Sequence, residues 1–166
     1  MIMETGLEKA FIQHIQDHRG VILKVCRIYS DDRDGFDDLF QEIILQLWKS
    51  YSSFRGESLV STWMYRVALN TAITTLRKRK RRPDQHPLQA FHHNQADVAD
   101  DPGDRVYAQE LQRAIQALNK FDRALLMLYL EEKSYGEMAQ ILDISENYIG
   151  VKLTRIRNKL KELLTP

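Results

Sequence analysis

The stretch SYGEMAQILDISENYIGVKLTRIRNKLKELL, residues 134–164, predicts the fold of the C-terminal part of the chain. Ser134 and Glu137 have the spacing of a capping box, which opens a short apolar helix. Residues 143–145 interrupt that helix, and Ser145 can cap a longer one. A short helix, a three-residue turn and a longer helix are the layout of a helix-turn-helix motif. The two predicted helices cover residues 135–142 and 146–164.

The second helix of such a motif presents its first turns to the major groove of DNA. Asparagine can pair with adenine there, and lysine or arginine can reach guanine or phosphate. Gly150 costs about 1 kcal/mol against alanine in a helix interior, and a close approach to DNA would explain it. A helical hairpin with a solvated outer face is the alternative. The candidate DNA-contacting residues are Asn147, Tyr148, Lys152, Thr154 and Arg155.

Two more helices are predicted before this motif. The first resumes near Val106, and Asn119 can cap the second, which covers residues 120–131. Apolar residues at helical spacing predict which side chains reach a core. They are Leu111, Ile115 and Leu118 in the first helix and Ala124, Leu125, Leu128 and Tyr129 in the second.

A second informative stretch, FRGESLVSTWMYRVALNTAITTLRKRKRR, covers residues 54–82. It begins as a polar loop, and Ser61 can cap the helix that follows. The expected inner positions are Val67, Ala68, Ala72 and Leu76, and the expected outer face carries Tyr65, Arg66, Asn70 and Ile73. The helix ends in six consecutive cations, Arg77 to Arg82. So many like charges exceed what a helix end needs and favour a polyanionic partner.

The residues before this stretch predict two further helices. Apolar residues at helical spacing predict one long amphipathic helix over residues 5–29. A second runs from residue 38 to about residue 49, with Asp38 as its cap and Gln41 three residues later. Its expected inward residues are Leu39, Phe40, Ile43, Ile44 and Leu47. The first half therefore reads as a three- or four-helix bundle that ends at Pro83.

Residues 84–110 have the composition of a flexible linker, with six acidic residues, one basic residue and two prolines. The net charge is −5 there, against +4 for residues 1–83 and +2 for residues 111–166. His86, His92 and His93 match no compact ligand set, so neither a metal nor another cofactor is expected.

Composition narrows the class of protein. With 43% hydrophobic and 28% charged residues, the chain has the balance of a soluble globular protein. No apolar run is long enough to span a membrane and the N-terminus lacks a signal-peptide pattern, so a cytoplasmic protein is expected. The single cysteine, Cys26, is expected to be a buried apolar residue. No nucleophile–base pair or phosphate-binding glycine loop is visible, and we do not expect an enzyme.

The segment LEEKSYGEMAQILDISENYIGVKLTRIRNKLKEL resembles region four of the extracytoplasmic-function (ECF) sigma factors. DDLFQEIILQLW and residues 54–82 resemble region two of that family. The resemblance covers roughly residues 11–82 and 111–164, in the family's order. It implies an all-α protein with three parts: a helical bundle, region two, at residues 1–83; a flexible acidic linker at residues 84–110; and a helix-turn-helix domain, region four, at residues 111–166.

The resemblance also implies roles. Asp38, Gln41 and Glu42 match an acidic patch that docks on the clamp helices of RNA polymerase, although capping and solvating a helix would also explain them. Residues 54–62 match a loop that captures a base flipped out of the minus-ten element, and Trp63 is expected to be core rather than a stacking platform. The candidate minus-ten residues are Phe54, Arg55, Ser58, Ser61, Tyr65, Arg66, Asn70, Arg77, Lys78, Arg79 and Lys80. The implied partners are core RNA polymerase and promoter DNA, with an anti-sigma factor as a further candidate.

Departures from the family pattern concern single positions. Asp143 stands where the family often has glycine, and Asn119 replaces a frequent proline. Glu146, Asn147 and Tyr148 differ from the commoner small residues, which affects the promoter sequence that is read. Two rival interpretations remain: a stand-alone helix-turn-helix regulator that binds DNA without polymerase, and a helical adaptor whose basic block binds an acidic protein. A nuclease or other metal enzyme is a distant third.

Overall fold

A computed structural model describes residues 2–80 and 102–165, and in those residues every regular element is an α-helix. The helices divide into two compact units, α1 to α4 and α5 to α8. This confirms the predicted all-α fold class. The helices are α1 (Ile2–Asp17), α2 (Arg19–Tyr29), α3 (Arg33–Tyr51), α4 (Val60–Lys80), α5 (Pro102–Gln116), α6 (Lys120–Leu130), α7 (Tyr135–Leu142) and α8 (Glu146–Leu164).

The core of the first unit lies where α2, α3 and α4 pack against one another. Phe11 joins α1 to this bundle, because its ring lies 4.9 Å from the Trp48 ring and 5.2 Å from the Tyr51 ring in edge-on contacts. Buried apolar side chains from each helix fill the space between them. They include Ile22, Val25 and Cys26 from α2, Leu39, Ile43 and Leu47 from α3, and Met64, Ala68 and Leu69 from α4.

The single helix expected over residues 5–29 is two helices. His18 leaves helical geometry, with φ −119° and ψ 23°, between α1 and α2. Gly20, two residues after the break, is a weaker helix former than the residues around it, so helical propensity is reduced there. The helical spacing of apolar residues continues across His18, so that spacing alone could not reveal the break.

The start of α3 corrects a second prediction. The helix begins at Arg33, and its N-cap is Asp32, whose side chain accepts a hydrogen bond from the Gly35 amide at 2.6 Å. Asp38 therefore lies inside α3 with an exposed side chain and caps nothing. Gly35 is buried in the first turn of α3, and its amide is the donor that this cap needs.

The start of α4 corrects a third prediction, because the helix begins at Val60 and Ser61 lies in its first turn. The Trp63 amide donates to the Leu59 carbonyl at 3.1 Å, so the residue before the helix is a leucine without a capping hydroxyl.

In the second unit α8 packs against α5, α6 and α7. The predicted bounds of α7 and α8 are confirmed, as are the Ser134–Glu137 capping box and the Ser145 cap, whose hydroxyl accepts from the Tyr148 amide. Asp143 adopts the left-handed conformation at φ 55°, which aspartate tolerates better than most residues. The helix α7, this turn and the helix α8 follow one another in the order of a helix-turn-helix motif.

The helices α5 and α6 differ from expectation at two points. Helix α5 begins at Pro102, four residues before Val106, because the first position of a helix suits proline. Asn119 caps α6 as predicted, through a 2.8 Å hydrogen bond from the Asp122 amide. Tyr129, expected in the core, is 36% exposed, and its hydroxyl accepts a hydrogen bond from Arg157.

No helix in the two described ranges combines the length and the apolar character that crossing a membrane requires.

Candidate nucleic-acid interface

One side of α4 carries exposed polar side chains at four-residue steps. Arg66, Asn70, Thr74 and Lys78 are exposed and follow one another along the helix; we call them the α4 stripe. Arg77 is also exposed beside it. Sequence reasoning missed Thr74, although its four-residue step from Asn70 was a usable signal. The stripe combines amide, hydroxyl and cationic groups, which suit both base edges and phosphates.

A cleft of about 340 Å³ lies between this stripe and α3. Asn70, Thr74 and Lys78 line it from α4, and Glu42 and Gln46 line it from α3. The Gln46 side-chain amide donates to Glu42 Oε1 at 2.9 Å. Glu42, predicted to contact polymerase, therefore shares a cleft with residues predicted to contact DNA.

The loop between α3 and α4 is attached to α4 by an aromatic contact. The Phe54 and Trp63 rings are 4.8 Å apart and inclined by 32°, and both side chains are half-buried. Gly56 has φ 73°, a backbone conformation that favours glycine. Arg55 is exposed and Ser58 and Ser61 are half-buried. The loop thus presents Arg55 to solvent while Phe54 fixes its start.

Tyr65 does not lie on the outer face of α4 as expected, because its side chain is only 1% exposed. Helix α4 packs on both α2 and α3, so its buried face is wider than the apolar stripe read from the sequence. Met64, Tyr65 and Leu69 join Ala68 and Ala72 inside, whereas Val67 and Leu76 are half-buried. Tyr65 therefore cannot serve as an exposed stacking platform in this arrangement.

The rest of the basic block extends past the described side chains. Arg79 and Lys80 belong to α4, but their side chains are outside the description, and Arg81 and Arg82 lie outside the described residues altogether. The same holds for the three histidines of the predicted linker. Within the described residues, no cluster of three or more His, Cys, Asp or Glu side chains could hold a metal ion.

The outer side of α8 carries four of the five predicted residues. Asn147, Tyr148, Thr154 and Arg155 are exposed. Val151 lies among them and is 48% exposed, which the sequence reading missed because it searched for polar side chains. A valine at such a position can contact a thymine methyl group.

Lys152 is the exception on α8. Its ammonium lies 3.0 Å from Asp122 Oδ1, with side-chain exposures of 17% for the lysine and 12% for the aspartate. The ammonium is also 5.7 Å from the centroid of the Phe121 ring. Lys152 therefore points toward α6 and away from the outer face of α8. Its partner is distant in the sequence, so helical spacing alone could not reveal the pair.

The nearest atom to a Cβ added at Gly150 belongs to the protein itself. A Cβ atom at this position would lie 3.7 Å from Cε2 of Tyr135, the first residue of α7. This is ordinary van der Waals distance, so the helix crossing leaves room for a methyl group.

The predicted polymerase patch lies on an exposed part of α3. Asp38 and Gln41 are exposed, and Gln41 borders a groove of about 470 Å³. Leu45 and Trp48 in that groove are 44% and 39% exposed. The patch is thus an acidic and amide surface beside an apolar one, and sequence reasoning missed the apolar half.

Cys26 lies in the core of the first unit, as predicted, with its side chain fully buried. Burial raises the pKa of the Cys26 thiol from 9.0 to about 12. The thiol is therefore protonated and shielded at neutral pH.

Comparison with known proteins gives two sequence families in the order of the two units. Sigma-70 region 2 matches residues 14–82, and sigma-70 region 4 matches residues 108–160. The ECF RNA polymerase sigma-E factor of Haemophilus influenzae is 27% identical over 175 residues, which covers 99% of this chain and 92% of the relative. The ECF RNA polymerase sigma factor SigM of Mycobacterium tuberculosis is 28% identical, and the alignment covers 96% of this chain and 80% of SigM.

Solved structures show the same fold. The sigma factor RpoE from Bartonella quintana, crystallised with the anti-sigma factor NepR, superposes with a TM-score of 0.70 at 22% identity, covering 94% of this chain and 97% of that one. CnrH in complex with the cytosolic domain of CnrY gives a TM-score of 0.66 at 19% identity, over 95% of this chain and 88% of that one. With both regions present in order, the chain belongs to the sigma-70 family and is an ECF-type alternative sigma factor that directs transcription initiation.

Proposed function

We propose that this sigma factor divides promoter recognition between its two units, with the loop and stripe of α4 at the minus-ten element and the outer face of α8 at the minus-thirty-five element. The observation that carries this proposal is the presence of an exposed polar helix face in each unit. The side chains of both faces are exposed to solvent, and both faces bear groups that can contact bases and phosphates.

At the minus-ten element, residues of α4 and the loop before it have two proposed tasks. Asn70, Thr74 and Lys78 line an open cleft that can accept the edge of a nucleotide. Arg55, Arg66 and Arg77 are exposed cations that suit the phosphates alongside it. Phe54 and Ser58 shape the loop, Ser61 lies in the first turn of α4 beside it, and Tyr65 supports α4 from inside. Arg79 and Lys80 continue the basic end of the helix.

At the minus-thirty-five element α8 acts as the recognition helix of a helix-turn-helix motif. Asn147 and Tyr148 lie in its first turn, where base edges are within reach, and Thr154 and Arg155 follow about two turns later. Val151 adds an apolar contact between them.

For core polymerase we propose a docking surface on α3. Asp38 and Gln41 supply its polar part, and Leu45 and Trp48 in the adjoining groove supply buried apolar area on contact. Glu42 lies at the border with the DNA cleft, so a change there is expected to affect both polymerase and DNA binding.

The proposed division of labour is region two at residues 1–83 and region four at residues 111–166, joined through residues 84–110. The end of that connection belongs to α5. We infer no catalytic role for the chain, because sigma factors are initiation factors, and we place it in the cytoplasm, where RNA polymerase acts. An anti-sigma factor is a further candidate partner, since one relative of the same fold was solved with one.

Photocrosslinking in the polymerase holoenzyme tests the assignment. A photoreactive side chain is introduced at Thr74 and, in a second protein, at Tyr148. A third protein carries it at the exposed Gln13 on α1 as a control. We expect crosslinks from position 74 at the minus-ten element and from position 148 near minus thirty-five. Crosslinks exchanged between the two elements, or equal to those of the control, would contradict the proposal.

A further inference from the structure

We propose that Lys152 is a positioning residue, which sets the orientation of α8 through its ion pair with Asp122 and makes no contact with DNA. The inference rests on the proposed function, since it concerns how the outer face of α8 is held for the minus-thirty-five element. It replaces the role that the sequence indicated for Lys152.

Asp122 is a fixed anchor because three groups hold it. Its backbone amide donates to Asn119 Oδ1 at 2.8 Å, as part of the α6 cap. Its Oδ2 accepts from the Asn119 side-chain amide at 3.2 Å, which leaves Oδ1 for the Lys152 ammonium at 3.0 Å. The Asn119 cap thus orients the Asp122 carboxylate independently of Lys152.

Burial makes this pair selective for one geometry. Asp122 is 8% exposed, and a buried carboxylate that loses its cation pays a desolvation cost. Such a pair adds little net stability compared with apolar residues of similar size, but it penalises arrangements that separate the charges. The Phe121 ring also attracts the Lys152 ammonium and favours the same position.

The pair lies where it can control the reading face. Lys152 is one turn beyond Tyr148 and next to Val151 along α8, in the half of the helix that carries the exposed candidates. A shift of α8 relative to α6 would move those side chains together. The Arg157 guanidinium lies 5.0 Å from the centroid of the Tyr129 ring of α6, which holds the helix at a second point.

The experiment uses holoenzyme with Lys152→Gln, Asp122→Asn and the double variant, with exposed Arg155→Gln as the matched α8 control. Promoter affinity is measured at several salt concentrations and on a panel of single-base changes in the minus-thirty-five element. Circular dichroism at the assay temperature confirms that each variant is folded.

We expect Lys152→Gln to leave the salt slope unchanged, whereas Arg155→Gln lowers its magnitude by about 0.9, the value for one lost phosphate contact. Lys152→Gln and Asp122→Asn should each reduce discrimination among the base variants, and the double variant should be no worse than the single ones. Lys152→Arg should retain discrimination, because it keeps the cation opposite Asp122.

Two outcomes would overturn the inference. A salt slope reduced by about 0.9 in Lys152→Gln, with Asp122→Asn unchanged, would show that the ammonium meets a phosphate. Variants that lose thermal stability yet keep full base discrimination would show a purely structural pair. Wild-type holoenzyme that ignores the minus-thirty-five sequence would instead contradict the proposed function, and the inference would fall with it.

Discussion

Thr62 and Thr71 are two buried threonines of α4 with different surroundings. Thr62 is 3% exposed, and its hydroxyl has no hydrogen-bond partner among the described residues. We predict that Thr62→Val raises the free energy of unfolding by about 1 kcal/mol, because valine has the same shape without the desolvation cost. Urea unfolding followed by circular dichroism measures the change.

Thr71→Val is the matched control. Thr71 is 9% exposed, and its hydroxyl donates to the Val67 carbonyl at 2.7 Å, so removing it loses a hydrogen bond. A Thr62→Val variant that is destabilised as much as Thr71→Val would show that the Thr62 hydroxyl has a partner after all.

Cys26 predicts a pH dependence of stability. Its pKa is about 12 in the folded protein and 9.0 ordinarily. Below pH 9 both states hold the proton, so the contribution is fully present; as the pH rises from 9 toward 12, only the unfolded thiol ionises. Stability should then fall by up to about 1.4 kcal/mol per pH unit relative to Cys26→Ala. Urea unfolding of both proteins at pH 8 and pH 10 tests this, and a pH-independent difference would contradict it.

A substitution at Gly150 distinguishes an effect on helix packing from an effect on the approach of DNA. Gly150→Ala should raise the free energy of unfolding by about 1 kcal/mol, since alanine is the better helix former and the added Cβ meets Tyr135 at an ordinary 3.7 Å. Thermal unfolding measures it, with Gly136→Ala as the control because its Cβ would meet Glu146 Oε1 at the tighter 3.4 Å. If the Gly150→Ala protein is more stable but binds promoter DNA less tightly, the result would support a close approach of DNA at this position.

Single residues also show where sequence reasoning stops. The burial of Cys26 follows from its own helical spacing. Tyr65 and Lys152 could not be placed that way, because one is covered by two helices at once and the other is held by a carboxylate 30 positions earlier. Tertiary contacts decide both, and they are invisible to local periodicity.

At the scale of helices, the α4 stripe makes a prediction about two kinds of DNA contact. Asn70→Ala should impair promoter opening more than closed-complex binding, because an amide in the cleft can hold an extruded base. Lys78→Gln should weaken binding at all promoters alike and reduce the salt slope by about 0.9, because a phosphate contact carries no sequence. Permanganate footprinting measures opening, and filter binding measures affinity.

Equal effects of the two substitutions on every promoter would contradict the assignment of Asn70 to a base contact and Lys78 to a phosphate contact. The exposed Thr154→Ala variant of α8 serves as the control, since it leaves α4 intact and should leave opening unchanged once the promoter is bound.

Helix boundaries were predictable where a cap and a break coincide. Ser134 and Ser145 mark α7 and α8, and both are confirmed caps. The start of α3 was not predictable in the same way, because Asp32 and Asp38 are both plausible caps and only the position of the Gly35 amide decides between them. The break at His18 has no strong signal, since neither proline nor a capping hydroxyl marks it.

At the scale of the molecule, the proposed assignment of one DNA-reading unit to each promoter element implies that each unit contributes part of the affinity. Joining them raises the effective concentration of the second unit once the first is bound, provided that a scaffold sets their separation. We propose that core polymerase is that scaffold. The chain alone is therefore expected to bind promoter DNA weakly, whereas a stand-alone regulator would bind it tightly.

The most direct test is genome-wide run-off transcription with core polymerase, with and without the purified chain. We predict new transcripts that depend on the chain and start downstream of a shared pair of elements. A chain that neither binds core polymerase nor produces any new start site would contradict the account.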